Sequence, residues 1–240
     1  QQQQQELQQQ IKQAQQDLQR EELARMEQLV QGLVVRQKGV LAEIQRLEGL
    51  RDKKNGQLSK PQQASLRQTA GEQRSLADET ANVGQSLASA KAFELTLHAA
   101  QREMLLTAAA LDKGETSSAA TTSATTALTR LEQLLAALKP DESTPTEPQD
   151  PPEGNGGQNQ GNQPTLQNLA ELKLLKLMQE AINQRTAELD EINRKTGGLT
   201  DEQIRELEGI AQEQGQLAVD LGRHDEGYYP SLQNDEGFPC

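Results

Sequence analysis

The stretch LSKPQQASLRQTAGEQRSLADET, residues 58–80, decides the fold because the chain repeats it. Residues 199–221 read LTDEQIRELEGIAQEQGQLAVDL and align with it without a gap, at an offset of 141 residues. Eight positions are identical: Leu58/Leu199, Gln62/Gln203, Leu66/Leu207, Ala70/Ala211, Glu72/Glu213, Gln73/Gln214, Leu76/Leu217 and Ala77/Ala218. Recurrence of a segment at a fixed period is typical of proteins built from repeated units. The sequence therefore predicts one helical unit that occurs twice.

The segments upstream of these stretches also correspond. QGLVVRQKGVLAEIQRL, residues 31–47, aligns with QEAINQRTAELDEINRK, residues 179–195, at an offset of 148 residues. The apolar positions coincide: Val30/Met178, Leu33/Ala181, Val34/Ile182, Leu41/Leu189 and Ile44/Ile192. Since the two offsets differ by seven residues, we expect the first copy to have the longer turn. Chance similarity among helices rich in Gln, Glu and Leu is the alternative.

A helix stop is followed at once by a helix start in both copies. In the first copy Asn55-Gly56 breaks the helix, and Ser59 can cap the next one with Gln62 as its capping-box partner. The corresponding residues of the second copy are Gly197, Gly198, Thr200 and Gln203. Each copy therefore reads as two antiparallel helices joined by a short turn, which is a helical hairpin.

Helical periodicity covers most of the chain. The first helix is expected from about Leu7 to Leu50, and the helix after Leu58 is expected to continue to about Asp112, with Gly114 as its stop. A further helix ends at Pro140, and Thr165 can cap the helix of residues 166–196. The further helix carries one leucine-rich side: Leu128, Leu131, Leu134, Leu135 and Leu138.

The amino-terminal helix changes register along its length. Leu7, Ile11, Ala14 and Leu18 follow one another at spacings of four, three and four, within a segment rich in Gln. A second register of apolar residues begins at Leu23 and continues to Leu47. We expect residues 1–22 to be a low-complexity, frayed helix.

Composition favours helices with thin apolar seams. Aromatic residues make up 2% of the 240 residues, hydrophobic residues make up 33%, and about one residue in seven is Gln. The formal net charge of -12 argues against a general nucleic-acid binder, because phosphate binding needs clustered Lys and Arg. An anionic membrane surface is disfavoured for the same reason. Cys240 is the single cysteine, so an intrachain disulfide is excluded.

These signals divide the chain into five predicted parts. Residues 1–22 are the Gln-rich segment, residues 23–139 form the first hairpin with an additional helix, and residues 165–222 form the second hairpin. Residues 140–164, rich in Pro and Gly, are predicted to be a disordered linker. Residues 223–240 are predicted to be a flexible tail that combines acidic and aromatic side chains.

The sequence predicts no catalytic, cofactor-binding or metal-binding residues. His98 follows Glu94 by four residues on a predicted helix, which favours an exposed ion pair. Asp220, His224 and two adjacent acidic residues could hold a metal only loosely, since no second cluster supports them. Cys240 stands at the last position of the sequence, where a nucleophile is hard to hold rigid. We therefore expect a protein that is not an enzyme and that has no cofactor.

Two segments also resemble a known class of proteins. These are LKLLKLMQEAINQRTAELDEIN, residues 172–193, and REMLLTAAALDKGETSSAATTSATTALTRLEQLLAALKPDE, residues 102–142. Both are similar to recurrent segments of large, uncharacterised bacterial coiled-coil proteins, which are often predicted to be exported or associated with the envelope. The resemblance covers most of residues 30–221 apart from the linker. It implies a coiled-coil fold and an exported or envelope location, and it implies no activity and no site residues. It also implies that the chain is part of a larger protein.

Two functions remain open from the sequence. The first is a coiled-coil scaffold that self-associates or holds a protein partner through its helical seams. The alternative is a module that binds a peptide or an envelope component through a leucine-rich groove or the aromatic tail. Binding of nucleic acid or a small molecule is not expected, and no apolar run in the sequence is long enough to span a membrane.

Overall fold

The computed structural model describes residues 2–52, 57–87, 90–116, 118–139 and 166–226. Within these ranges it contains helices and no strands, so the all-helical prediction is confirmed. The helices are α1 (Gln2–Asp52), α2 (Lys60–Ser86), α3 (Lys91–Asp112), α4 (Ser118–Leu138), α5 (Leu166–Thr196) and α6 (Asp201–Glu226). The chain divides into two compact units, Gln1–Leu174 and Leu175–Cys240. The predicted linker lies outside the described residues, as does the tail from residue 227 onward.

The first unit contains a four-helix bundle. Helix α1 packs against α2 and α4, and α3 packs against the same two helices. Neighbouring helices run antiparallel, as cross-links between α1 and α2 demonstrate: Ser65 Oγ donates to Glu43 Oε1 at 2.6 Å, and Arg36 Nη1 donates to Glu79 Oε2 at 2.5 Å. The reversal of direction between α1 and α2 confirms the predicted first hairpin.

One predicted helix is divided into two. The sequence favoured a single helix to about Asp112, but α2 ends at Ser86 and α3 begins at Lys91. The apolar period continues through this region, so periodicity gives no sign of the break, while Gly84 and Ser86 weaken the helix locally. The reversal lets α3 fold back onto α2. A Cβ atom built on Gly84 would lie 3.5 Å from Leu97 Cβ, and Thr80 Oγ1 lies 3.5 Å from Met104 Sδ.

The core of the bundle combines a few large side chains with many small ones. Its largest fully buried residues include Phe93, Ile44, Leu76, Met104 and Leu134. Alanines and threonines fill much of the remaining core. The hydroxyls of four such threonines donate to the carbonyl four residues earlier in the same helix: Thr69, Thr80, Thr96 and Thr107. Because these hydroxyls are satisfied within their own helices, a chain poor in large apolar residues can still bury its helix faces.

A buried amide pair crosses the bundle. Gln37 and Gln73 are both fully buried, and Gln73 Nε2 donates to Gln37 Oε1 at 3.0 Å. Gln37 Nε2 in turn donates to the carbonyl oxygen of Ala124 in α4 at 3.1 Å. The two side chains thereby connect three helices at one level. Gln73 Oε1 has no protein partner, so the network is one bond short of complete.

The start of α5 belongs to the first unit and caps two of its helices. Glu171 is buried, and its Oε2 accepts a hydrogen bond from the backbone N–H of Ala92, in the first turn of α3. Because a helix amino terminus carries free N–H groups and partial positive charge, a carboxylate is stabilising there. Lys173 Nζ donates to the carbonyl oxygen of Lys139, just after α4 ends.

The second unit contains an antiparallel pair formed by α5 and α6. Two cross-links fix its direction: Arg185 Nη2 donates to Glu206 Oε2 at 2.8 Å, and Gln179 and Gln214 donate to each other at 2.9 and 3.0 Å. The pair nearer the turn is 21 residues apart in the sequence and the pair farther from the turn is 35 residues apart, as antiparallel helices require. The predicted second hairpin is therefore confirmed.

Glycines end helices at two of the predicted turns. Gly114 has a φ of 81°, and the bonds from Gly114 N–H to Leu111 O and from Glu115 N–H to Ala110 O form the Schellman motif. Gly197 has a φ of 75°, and its N–H donates to Asn193 O. Left-handed backbone suits glycine because an L side chain would clash there. Both predicted stops are confirmed, while Asn55-Gly56 lies outside the described residues.

Both predicted capping boxes are present. The backbone N–H of Ser59 donates to Gln62 Oε1 at 2.8 Å. In the second hairpin the box is reciprocal, since Thr200 N–H donates to Gln203 Oε1 at 2.9 Å and Gln203 N–H donates to Thr200 Oγ1 at 3.3 Å. Each box fixes the start of the returning helix.

The first hairpin has the longer connection between its helices, as predicted, but residues 53–59 exceed residues 197–200 by three positions and not by seven. Pairs that cross α1 and α2 are 36 and 22 residues apart, Gln37–Gln73 and Glu43–Ser65. The pairs that cross α5 and α6 are 35 and 21 residues apart, Gln179–Gln214 and Arg185–Glu206. The separations of the cross-linked pairs thus differ by one residue between the hairpins. These pairs relate α1 to α5 at an offset of 142 residues, six fewer than the alignment of the apolar positions, because apolar seams of helical period look alike after a shift of about two turns.

We predict that Gly197→Ala destabilises the second hairpin by about 1 kcal/mol, because alanine is strained at positive φ. Amide hydrogen exchange in α5 and α6 should accelerate accordingly. Gly198→Ala is the matched control, since a Cβ on either glycine would meet no other part of the chain within 4 Å and Gly198 lacks the positive φ. Equal effects of the two substitutions would contradict the assigned turn geometry.

We also predict that Gln73→Leu costs about 1–3 kcal/mol of unfolding free energy, because it leaves Gln37 Oε1 buried without a donor. The double variant Gln37→Leu/Gln73→Leu should be less destabilised than the sum of the single variants, since both amides are then removed together. Urea unfolding of the four proteins in this double-mutant cycle measures the coupling. Additive effects would show that the two amides do not interact.

Candidate functional site

An exposed apolar stripe on α1 is the strongest candidate for a functional surface. We name residues 3–22 of α1 the arm. Every described side chain from residue 3 to residue 18 is exposed, and no described side chain from residue 3 to residue 29 is buried. Burial begins at Val30 and continues to Leu47, where α1 packs in the bundle. The arm is thus helical without any part of the described chain covering it.

The stripe on the arm is the four-residue pattern noted in the sequence. Leu7 is 59% exposed, Ile11 is 50% exposed and Leu18 is 62% exposed, and Ala14 lies between Ile11 and Leu18 on the same side. Single exposed leucines are ordinary on protein surfaces, but a row with coiled-coil spacing indicates a surface that another helix covers. The rest of the arm is mostly Gln, with six charged residues among its twenty, so the surface beside the stripe is polar.

The arm, which lies in the segment predicted as a low-complexity, frayed helix, is helical in the structure. Helix α1 has 51 residues, against 27 in α2 and 21 in α4. Its amino-terminal part therefore extends past the length that its bundle neighbours can cover. An isolated helix of about 20 residues has marginal stability in water, so a partner would stabilise it.

Two arginines dominate the electrostatics between paired helices. Arg36 of α1 contacts two carboxylates of α2: its Nε donates to Glu72 Oε1 at 2.8 Å, and its Nη1 donates to Glu79 Oε2. The hydrogen bond that Arg36 donates to Glu79 lowers the pKa of Glu79. The hydrogen bonds that Arg36 donates to Glu79 and Glu72 raise the pKa of Arg36. Arg185 binds Glu206 through two nitrogens and Glu188 through Nη1, which raises the pKa of Arg185. These pairs fix the register of each hairpin.

Sequence reasoning missed the buried amide pair, although a signal for it exists. Val30, Leu33, Val40, Ile44 and Leu47 are buried at heptad spacing with one position missing, and Gln37 occupies that position. A polar residue at a core position of a helical seam is typical of a side chain that fixes register. The alignment had already matched Gln73 with Gln214, the residue that forms the corresponding pair in the second unit.

Among the residues weighed for chemistry, the structure describes the side chains of Glu94 and His98. His98 Nε2 lies 3.7 Å from Glu94 Oε1 on the exposed side of α3, as the spacing predicted. The pKa of Glu94 is lowered, primarily by its hydrogen bond to Lys91. Within the described part of the chain no three His, Cys, Asp or Glu side chains are grouped so that they could hold a metal ion. The side chains of Asp220, His224, Asp225 and Glu226 lie outside that part, and so does Cys240.

A cleft of about 420 Å³ lies in the first unit where α1 and α3 end and α2 begins. Its lining includes Arg51, Arg67, Lys113 and Asp112. The guanidinium of Arg51 donates to the carbonyl oxygen of Gly114 and lies 3.7 Å from Glu48 Oε2. The positive charge of Arg51 is therefore matched by acceptors of the chain itself.

Two further apolar surfaces are exposed. In the first unit Leu169 and Leu172 of α5 are 49% and 44% exposed. In the second unit Ile204 and Val219 are 44% and 50% exposed, and Leu207 is 38% exposed. Leu66, which aligns with Leu207, is buried because α2 lies within a bundle.

No family model, curated protein or solved structure matches the chain. The resemblance to bacterial coiled-coil proteins therefore stays a prediction. No helix within the described ranges combines the length and the apolar character that crossing a membrane requires.

We predict that Arg36→Gln lowers the unfolding free energy by up to about 1 kcal/mol at pH 7, the range for partly exposed ion pairs. Because the pKa of Glu79 is lowered in the folded protein, its contribution is present above about pH 4.5 and is lost as the pH falls through the folded pKa. The difference between wild type and variant should therefore shrink once the pH falls through the lowered pKa of Glu79.

Chemical denaturation at a series of pH values measures this dependence. The control is Arg102→Gln, whose side chain is 64% exposed and lies 3.9 Å from its neighbour Glu103. That substitution should change stability little at any pH. A constant effect of Arg36→Gln from pH 7 to pH 3 would show that its ion pairs with α2 do not stabilise the bundle.

Proposed function

We propose that the chain is a non-enzymatic scaffold that self-associates through the arm. The observation that carries this proposal is the stripe of Leu7, Ile11, Ala14 and Leu18, exposed on a helical segment in which none of the described side chains is buried. Burying a leucine or isoleucine side chain is worth about 1.5–3 kcal/mol, so covering the stripe stabilises both the association and the helix. The bundle then serves as the folded body that the arm connects to other molecules.

Internal duplication supports the scaffold proposal. We propose that the two hairpins descend from one unit. Gln73 and Gln214 occupy equivalent alignment positions, and both pair with a Gln of the preceding helix. The pair Glu43–Ser65 corresponds in the same way to Arg185–Glu206, with the sequence separations differing by one residue. Repetition of a helical interaction unit is typical of scaffolds, which work by contacts along helices.

A second proposal is a binding module, favoured by the exposure of Leu169 and Leu172 in the first turns of α5. These leucines are three residues apart and so share one face of the helix. An apolar peptide helix could cover them. This proposal predicts a protein that remains monomeric at all concentrations, which separates it from the scaffold.

The triple variant Leu7→Gln/Ile11→Gln/Leu18→Gln tests the scaffold proposal. We expect the wild-type mass measured by light scattering to rise with protein concentration and the mass of the variant to stay at that of a monomer. The thermal transition of the bundle should be unchanged, since these side chains make no contact in the core.

The matched control replaces three apolar residues that are exposed on the bundle itself, Val35→Gln/Leu105→Gln/Leu106→Gln. Their exposed fractions are 59%, 43% and 53%, close to those of the stripe. The control should associate as wild type does. A wild-type protein that stays monomeric at high concentration would refute the scaffold proposal, and equal loss of association in both variants would show that the arm is not the contact.

A further inference from the structure

We infer that the partner of the arm is the arm of a second copy of this chain, bound antiparallel with Leu7 of each arm opposite Leu18 of the other. This inference rests on the proposed function, and it adds the identity of the partner, the direction of the two helices and the register. Only side chains of the arm that are exposed in the structure take part in this pairing.

The stripe is self-complementary in the antiparallel direction. Leu7 to Leu18 spans four apolar positions with coiled-coil spacing, and in an antiparallel pair each such position faces the one at the other end. Leu7 then meets Leu18 of the partner arm, and Ile11 meets Ala14. The larger Ile11 faces the smaller Ala14, so the side chains can interdigitate. Four apolar layers result.

The polar layers at the two ends also match. In this register Gln4 of each arm faces Glu21 of the other, which places an amide donor against a carboxylate acceptor. Other registers, shifted by one heptad, leave fewer apolar residues facing each other. In the parallel direction Glu21 would instead face its own copy inside the seam, where two like charges repel.

Charges beside the seam exclude the parallel direction as well. In a parallel pair, Asp17 of one arm would lie beside Glu22 of the other, and this repulsion would occur twice. In the antiparallel pair, Asp17 lies beside Gln10, whose amide can donate to the carboxylate. Asp17 is otherwise held by Arg20 of its own helix at 3.6 Å, both side chains being more than half exposed.

The remaining contacts beside the seam join Gln8 of one arm with Gln15 of the other. The structure already contains such contacts between antiparallel helices. Gln179 and Gln214 donate to each other across the second hairpin, and Gln73 donates to Gln37 across the first. The chain therefore uses amide pairs to join antiparallel helices in both of its hairpins, and the arms provide the same side chains.

Disulfide trapping tests the direction and register. Two proteins are made in a Cys240→Ser background, one with Leu7→Cys and one with Leu18→Cys, and each keeps the other apolar positions of the stripe. They are oxidised with a glutathione redox buffer separately and as a mixture, and covalent dimers are counted on non-reducing gels.

In the antiparallel register two copies of residue 7 lie eleven residues apart along the seam, about 16 Å at 1.5 Å per residue. We therefore expect covalent dimers in the mixture, containing one chain of each kind, and few in either protein alone. In a parallel pair residue 7 faces residue 7 and residue 18 faces residue 18. Covalent dimers in each single variant, with no increase on mixing, would therefore establish the parallel direction and overturn the inference.

A charge substitution gives an independent readout without cysteine. Gln10→Lys places a cation beside Asp17 of the partner arm in the antiparallel pair, so the association should tighten by about threefold to tenfold. Gln15→Lys is the matched control, because residue 15 faces Gln8 and gains no carboxylate. Sedimentation equilibrium measures both dissociation constants. If Gln10→Lys does not tighten the association relative to Gln15→Lys, the register is wrong.

The two failures are distinguishable. If wild type and the triple glutamine variant have the same monomeric mass, the proposed function fails and the inference fails with it. If wild type associates through the stripe but the cysteines cross-link residue 7 to residue 7, the scaffold stands and only the antiparallel register is refuted. Association of wild type that the triple variant does not abolish refutes the arm as the contact.

Discussion

Burial of one face of α1 between Val30 and Leu47 is the interaction on which the first unit depends. This face contacts both α2 and α4, so it joins two of the four helix pairs of the bundle. Gln37 stands in the middle of the face and connects it by hydrogen bonds to Gln73 and to Ala124. Apolar burial supplies most of the stabilisation, while the buried amides fix the register in which the helices pack against one another.

The same constraint explains why the arm is exposed. A bundle helix can be covered only over the length of its neighbours, and none of the side chains that the structure describes in α1 before Val30 is buried. The change of apolar register between Leu18 and Leu23 marks the same division in the sequence. The stripe of the arm and the seam of the bundle therefore lie on one continuous helix but serve different contacts.

The local signals predicted much of the fold. The capping boxes at Ser59 and Thr200, and the glycine stops at Gly114 and Gly197, formed as expected because each depends on residues close in sequence. The antiparallel direction of both hairpins followed from these signals. The break between α2 and α3 could not be predicted, since the apolar period continues through it and only packing of α3 on α2 favours the reversal.

Features that depend on contacts between distant residues were not predictable. The sequence alignment of α1 with α5 has an offset of 148 residues, whereas the cross-linked pairs correspond at 142, because a periodic apolar seam resembles itself after a shift of about two helical turns. The cross-pairs of Gln and Arg resolve this ambiguity, and they involve residues 21 to 43 positions apart. The exposure of the arm likewise depends on the length of its neighbours. The apolar stripe of the arm was thus visible in the sequence as a pattern. The sequence did not indicate that the stripe is left uncovered by the described part of the chain.

Glutamine suits contacts between helices of identical sequence. In the antiparallel pair each residue faces a different residue of the other copy, and an amide there can donate to a carboxylate or bind another amide, because it carries both a donor and an acceptor. The reciprocal pair of Gln179 and Gln214 demonstrates this property between two helices of the second unit. An amide pair is uncharged, so salt screens it little. A stripe of apolar residues flanked by glutamines can therefore join two copies of one chain without a complementary partner of opposite charge.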